Sequence, residues 1–217
     1  MKQAYFLIIA VVFLILSSCA KEKDNYVLIE TDFGNMKVRL YNDTQLHKDN
    51  FLKLVDEKFY DGLLFHRVVK DFMIQGGDPE SRNANNAKTL GMGGPGYKIP
   101  AELGKIHRKG ALAAARNGDA TNPERKSSGS QFYIVQGTIQ SDAQLNIWES
   151  RRGFKYNETQ RELYKTIGGT PSLDNEYSVF GEVVEGFDVI DEIAKVAINP
   201  ASRPLKDLPM TIRRTKK

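Results

Sequence analysis

Cysteine is almost missing from this chain. Cys19 is the only one in 217 residues, so no disulfide can form within the molecule. Histidine is scarce too, and His47, His66 and His107 lack partners at metal-ligand spacing. No Gly-x-Ser-x-Gly elbow is present, which leaves a serine hydrolase almost without support. The longest apolar run, residues 4–16, has 13 residues. That is short of the roughly 20 needed to span a bilayer as a helix. There are no internal repeats and no low-complexity tracts. Charge is not concentrated either. The formal net charge is +4, and the one basic cluster is Arg213, Arg214, Lys216 and Lys217. Without an aromatic platform beside it, that cluster reads as a solvated tail over residues 215–217, and no nucleic-acid partner is expected.

What is present suits a globular enzyme or binding domain. With 41% hydrophobic and 27% charged residues the chain can bury a real core. Its length fits one large domain, or one domain carrying an insertion.

The N-terminus reads as an export signal. Lys2 supplies a positive start, and the apolar run that follows has the length of a secretory core. It ends in Leu16-Ser17-Ser18-Cys19, which resembles a bacterial lipobox. Residues 1–18 are therefore expected to be a lipoprotein signal peptide. Cys19 would take the lipid and become the first residue, with residues 19–25 as a short charged spacer. Several acyl chains on one cysteine anchor stably, at roughly 0.8 kcal/mol per buried methylene. The alternative is ordinary signal cleavage with an incidental Cys19. The lipidated reading places the protein at the cell envelope, held on a membrane close to its surface. Ala20 in place of an aspartate points to the outer membrane of a cell that has two, facing the periplasm.

Beyond the spacer the pattern is mostly β. Residues 26–31 and 36–41 are apolar-rich strands across the turn Gly34-Asn35. A helix follows, capped by Asp43 or Thr44, with Leu46, Phe51, Leu54, Val55 and Phe59 near helical spacing. Residues 63–69, 72–75, 111–116, 131–136, 178–184 and 210–214 read as strands, and 187–196 as a second helix. Residues 76–110 are rich in Gly, Pro and Asn and read as loops with brief strands at most. Many short strands with two helices favour an all-β barrel over alternating βαβ units. Residues 141–170 stand apart as a polar, partly helical surface insertion. It carries the only tryptophan, Trp148, and a capping-box pattern at Thr159 and Glu162.

Gly91-Met92-Gly93-Gly94-Pro95-Gly96 matches a dinucleotide fingerprint on paper. No apolar strand precedes it and no helix follows, so it is a loop. The informative stretch is Phe65-His66-Arg67-Val68-Val69-Lys70-Asp71-Phe72-Met73-Ile74-Gln75-Gly76-Gly77-Asp78. Alternation alone sets Phe72 and Met73 on opposite faces unless the chain bends there, and makes Arg67 a surface residue.

This stretch resembles the hallmark of the cyclophilins, and two further pieces follow in register. They are Gly110 to Arg116 leading to Ser128-Gly129-Ser130-Gln131-Phe132-Tyr133-Ile134, and Leu173-Asp174-Asn175-Glu176-Tyr177-Ser178-Val179-Phe180-Gly181-Glu182-Val183. The resemblance runs over residues 26–214. It implies an eight-stranded antiparallel barrel capped by two helices, with no metal and no organic cofactor. It also implies a peptidyl-prolyl cis/trans isomerase, a monomer acting on proline-containing polypeptides. Together with the leader, this predicts an isomerase assisting the folding of exported proteins. Carried over by position, Arg67 is the catalytic arginine. Phe72, Met73, Gln75, Ala115, Arg116, Gln131, Tyr133, Leu173 and Tyr177 line the proline pocket or hold the peptide backbone. Three positions depart from the family's habit. Tyr133 stands for phenylalanine and brings a hydroxyl that must find a partner. Ser172 stands for tryptophan or histidine, and Tyr177 for histidine. The small Ser172 predicts a weaker rim and weak binding of the cyclic peptide cyclosporin. Trp148 is expected to pack within the insertion rather than to replace that rim residue. The alternative function is a proline-peptide-binding module or chaperone with weak or no turnover.

Overall fold

The computed structural model describes residues 25–217, so the expected leader, Cys19 and most of the spacer lie outside the described residues. Strands β1 (Asn25–Thr31) and β2 (Gly34–Leu40) pair antiparallel, with Val27 opposite Val38 and Ile29 opposite Met36. Strict alternation sends these four side chains into the core. Helix α1 (Gln45–Asp56) buries Phe51, Leu52, Leu54 and Val55. Its start differs from expectation. Leu46 is exposed and His47 is inside, and the Thr44 hydroxyl makes no cap. The cap comes from a distant loop, where the Glu102 carboxylate accepts from the backbone N–H groups of Leu46 and His47 (3.2 and 3.0 Å). The same carboxylate holds His47 Nδ1 at 2.6 Å, and that contact draws the histidine inward.

The stretch expected as one strand over residues 63–69 is broken. It forms β3 (Leu63–Leu64) and β4 (Arg67–Val69), with Phe65 and His66 between them, followed by β5 (Met73–Gly76). Next come β6 (Lys98–Ile99), β7 (Ala111–Ala114), β8 (Ser127–Ser128) and β9 (Phe132–Val135). The insertion supplies α2 (Asp142–Arg152) and α3 (Glu158–Thr166). Strand β10 (Val179–Glu185), α4 (Phe187–Ile193) and β11 (Pro209–Thr215) complete the chain. Helix α4 stops before the expected Val196, and β7 stops before Ala115 and Arg116.

The main sheet runs β3-β11-β1-β2-β10-β7-β9-β5-β4, and β6 pairs with β8 alongside. Its two ends, β3 and β4, are consecutive pieces of chain, so the sheet curls until its edges meet at Phe65-His66. Counted as one broken strand, β3 and β4 give the eight strands expected. The break is needed because one half pairs with β11 and the other with β5.

Strands near the closure are buried on both faces. Ile74, Leu112, Phe132 and Ile134 point to the main core. Phe132 meets Phe51, Tyr60 and Phe65 edge-on there, at 5.6 to 6.2 Å between ring centres. Their neighbours Met73, Ala111, Ala113, Tyr133, Val135 and Val179 form a second cluster on the other face. The insertion packs its own small core of Leu145, Tyr156 and Tyr164, with Trp148 and Phe154 against it. The capping box of α3 is not Thr159 with Glu162. Asn157 accepts from Gln160 N at 2.8 Å while the Gln160 side chain accepts from Asn157 N at 3.0 Å. Helix α3 therefore begins at Glu158, and Thr159 falls inside its first turn.

Candidate functional site

The site grows from the β4–β5 hairpin. Arg67 lies opposite Gln75 and Val69 opposite Met73 in the ladder. Between them Asp71 takes a left-handed conformation, φ 62°. Its backbone N–H donates to Gln136 Oε1 at 2.6 Å, which fixes the bend. Phe72 therefore lies in a turn, not in the strand, and reaches the same face as Met73. Gln75 in turn sits opposite Tyr133, and Tyr133 opposite Ala113.

A recess of about 280 Å³ opens on this face. Its wall is made by Arg67, Phe72, Met73, Gln75, Ala115, Arg116, Tyr133, Leu173 and Tyr177. The sequence thus named nine residues that the fold brings together from four separate stretches. The tenth, Gln131, stands behind the wall. Gln131 Nε2 donates to Gly93 O at 2.7 Å, Gln75 Nε2 donates to Gln131 Oε1 at 3.0 Å, and Arg67 donates to Gln75 Oε1 at 3.3 Å. This run of amides is anchored on a backbone carbonyl, and that anchor sets which end of each amide faces the guanidinium.

The two arginines of the recess differ in what occupies them. Arg116 is tied to Glu176 through its carbonyl and its carboxylate (3.2 and 3.3 Å), and lies 4.7 Å from the centre of the Tyr177 ring. Arg67 makes no carboxylate ion pair among the described residues, and only Gln75 and the Met73 sulfur (3.8 Å) accept from it. Its charge and remaining donors are open to the recess. A second hollow of about 440 Å³ adjoins, lined by residues 86–92 and by Asn199, Ala201 and Arg203, and shares Arg67 and Gln75.

Tyr133 shows how the departure from phenylalanine is accommodated. Its hydroxyl lies 3.0 Å from His107 Nε2, and the two rings stack within 14°. His107 Nδ1 lies 2.9 Å from Asp174 Oδ1, so the carboxylate takes the ring N–H and leaves Nε2 to accept from Tyr133. Burial pushes the Tyr133 hydroxyl well above the usual tyrosine pKa, with the charges of Tyr177 and Asp174 adding to the rise. It stays a neutral donor aimed away from the recess, which sees only the aromatic face. His107 and Asp174 were not singled out from sequence. The signal available was the unmet need of the Tyr133 hydroxyl.

At the rim, Ser172 is half-buried, and its carbonyl accepts from Arg152 of α2 at 2.9 Å. Arg152 also pairs with the Glu176 carboxylate. Trp148 packs in the insertion's core with Arg151 beside its ring, away from the recess. The glycine loop at residues 91–96 does not offer its N–H groups outward. Asp78 Oδ2 accepts from Gly91 N and Gly93 N, and a Cβ at Gly93 would stand 2.1 Å from Asp78 Oδ1. Among the described residues no group of three or more His, Cys, Asp or Glu side chains is placed to hold a metal ion.

Comparison with known proteins agrees with this geometry. The family model described as cyclophilin type peptidyl-prolyl cis-trans isomerase/CLD matches residues 26–217. A Staphylococcus aureus (strain USA300) protein named peptidyl-prolyl cis-trans isomerase is 32% identical over 183 residues, 84% of this chain and 87% of its own. A Staphylococcus saprophyticus protein of the same name is 34% identical over 188 residues, with the same shares covered. The crystal structure of a Cryptosporidium parvum cyclophilin type peptidyl-prolyl cis-trans isomerase superposes with a TM-score of 0.63 at 22% identity, covering 89% of this chain and 99% of that one. The structure of that protein in the presence of the dipeptide Ala-Pro gives 0.62. With the fold, the recess and the three sequence motifs in agreement, this chain belongs to the cyclophilin-type peptidyl-prolyl cis-trans isomerase family.

Proposed function

We propose that the 280 Å³ recess is the isomerisation site, with Arg67 as its catalytic residue and proline-containing polypeptides as its substrates. The observation that carries this is the Arg67 guanidinium, without a carboxylate partner among the described residues, at the edge of a hollow walled by Phe72, Met73, Tyr133 and Leu173. The X–Pro amide resists rotation because resonance must be broken, a barrier of roughly 18–20 kcal/mol. No nucleophile is required. When the bond twists, the proline nitrogen pyramidalises and its lone pair becomes an acceptor. The Arg67 guanidinium offers N–H donors that can reach that lone pair only in the twisted state. It therefore favours the transition state over both ground states. Phe72, Met73, Tyr133 and Leu173 hold the ring while the preceding carbonyl turns. Gln75, braced by Gln131, aims the guanidinium and leaves donors for the peptide backbone. A thousandfold acceleration needs about 4 kcal/mol, within reach of one charged donor and the pocket. Turnover of a proline peptide series by the soluble domain tests this. Binding without turnover would favour the binding-module reading.

We propose further that the isomerase is lipid-anchored and acts on exported proteins, supported by the apolar leader and the sequence Leu16-Ser17-Ser18-Cys19. The full-length protein should incorporate labelled fatty acid, and Cys19→Ser should abolish the label. No label on the wild type, in a host with the lipoprotein machinery, would leave a freely secreted isomerase.

A further inference from the structure

The recess wall is connected to the insertion by a buried chain of hydrogen bonds. Asp174 is the hub. It directly follows Leu173, which lines the recess, and its side chain is 2% exposed. Its Oδ1 accepts from the His107 backbone N–H (2.7 Å) and faces Nδ1 of the same residue (2.9 Å). Its Oδ2 accepts from the hydroxyls of Tyr156 and Tyr164, each at 2.6 Å. Four donors thus meet on one carboxylate, a side chain whose two oxygens only accept. Two of the donors belong to the insertion. The other two fix the His107 ring, which holds Tyr133. His107, Asp174, Tyr133 and Tyr164 are all at least nine-tenths buried, as is Tyr156.

The foot of the insertion is built to keep this chain in line. Thr138 and Gly169 exchange backbone hydrogen bonds of 3.1 and 2.9 Å, and Thr170 N donates to His107 O at 2.8 Å. Gly169 cannot carry a side chain, since a Cβ there would lie 2.4 Å from His107 O and 2.6 Å from the Tyr164 ring. At the far end of α2, Arg152 grips the Ser172 carbonyl. The segment that presents Leu173 and Tyr177 to the substrate is thus held by the insertion from two sides.

A phenylalanine at position 133 would present the same face to proline without any link to the insertion. The tyrosine adds the link. We propose that Tyr156, Tyr164, Asp174 and His107 are positioning residues of the isomerisation site, setting through the Tyr133 hydroxyl the wall against which the substrate proline seats. This rests on the recess being that site. It gives the insertion a role in substrate fit although neither tyrosine touches the recess.

A double-mutant cycle separates this from mere support of the fold. Tyr156→Phe with Tyr164→Phe removes two donors and no volume of consequence. In the Tyr133 background we expect KM for a proline tetrapeptide to rise about fivefold with kcat within about twofold. In the Tyr133→Phe background the same pair should change KM by less than about 1.5-fold, because the link is already cut. Equal effects in the two backgrounds would overturn the proposal, as would an unchanged KM in the first. Should the paired substitution unfold the protein, Tyr156→Phe alone carries the same cycle. The cycle is also read on the dissociation constant of an unreactive proline peptide. Loss of coupling there, with Arg67-dependent turnover intact, strikes this inference and spares the site assignment. Coupling that persists when Arg67 proves dispensable does the reverse.

Discussion

His66 shows how a single residue ties the site to pH. It is 4% exposed, and among the described residues neither ring nitrogen has a hydrogen-bond partner of good geometry. Burial, which outweighs the nearby Asp78 carboxylate, lowers its pKa from 6.5 to about 4. The folded protein keeps the ring neutral where the unfolded chain would take up a proton. Its contribution is therefore fully present above pH 6.5 and is lost as pH falls towards 4, to a total of about 3 kcal/mol. His47 is shifted the same way by burial and adds to the loss. Urea unfolding at pH 7 and pH 4.5 should show the drop, and His66→Asn should flatten much of it. A slope unchanged by that substitution would mean the acid sensitivity lies elsewhere. His66 adjoins Arg67 in sequence and shares the larger hollow with it, so acid would disturb the site as well as the fold.

Among the elements, α1 depends on a residue far from it in sequence. Glu102 serves two N–H groups of its first turn and the ring of His47. Glu102→Ala should cost about 1–2 kcal/mol in denaturant unfolding, the scale of a lost helix cap. Isomerase turnover should persist, because Glu102 takes no part in the recess. Unchanged stability would show that solvent caps the helix equally well. This cap was invisible in sequence because it acts across 55 residues, whereas Asp43 and Thr44 advertised a local one. The α3 start was misplaced for a related reason. Thr159 and Glu162 satisfy the same pattern as Asn157 and Gln160, two residues out of phase, and only the burial of Tyr164, on the inner face of the helix against Tyr156, decides between them. Strands fared better, since β1 and β2 bury one face to the core and alternate cleanly. The sequence runs β3 and β4 together because nothing in Leu63-Leu64-Phe65-His66-Arg67 marks where pairing passes from β11 to β5.

At the scale of the molecule, the recess is a product of closure. Strand pairing sets β5 beside β9 and β9 beside β7, and the curl of the sheet turns Met73, Tyr133 and Ala113 together onto its outer face. The segment at residues 171–177, steadied by the insertion, folds over that face and completes the hollow. Nine lining residues were legible because three motifs announced them together. The buried chain from Tyr164 to Tyr133 was not, since its members are scattered from His107 to Asp174 and carry no spacing. The central proposal is that Arg67, without a carboxylate partner among the described residues, makes this hollow an isomerisation site. A protease-coupled or exchange-based isomerisation assay on wild type and Arg67→Ala tests it most directly. The account predicts that the substitution lowers kcat/KM at least about tenfold, or about 1.4 kcal/mol, with the barrel's unfolding midpoint unchanged. Equal activity in the two proteins would contradict it.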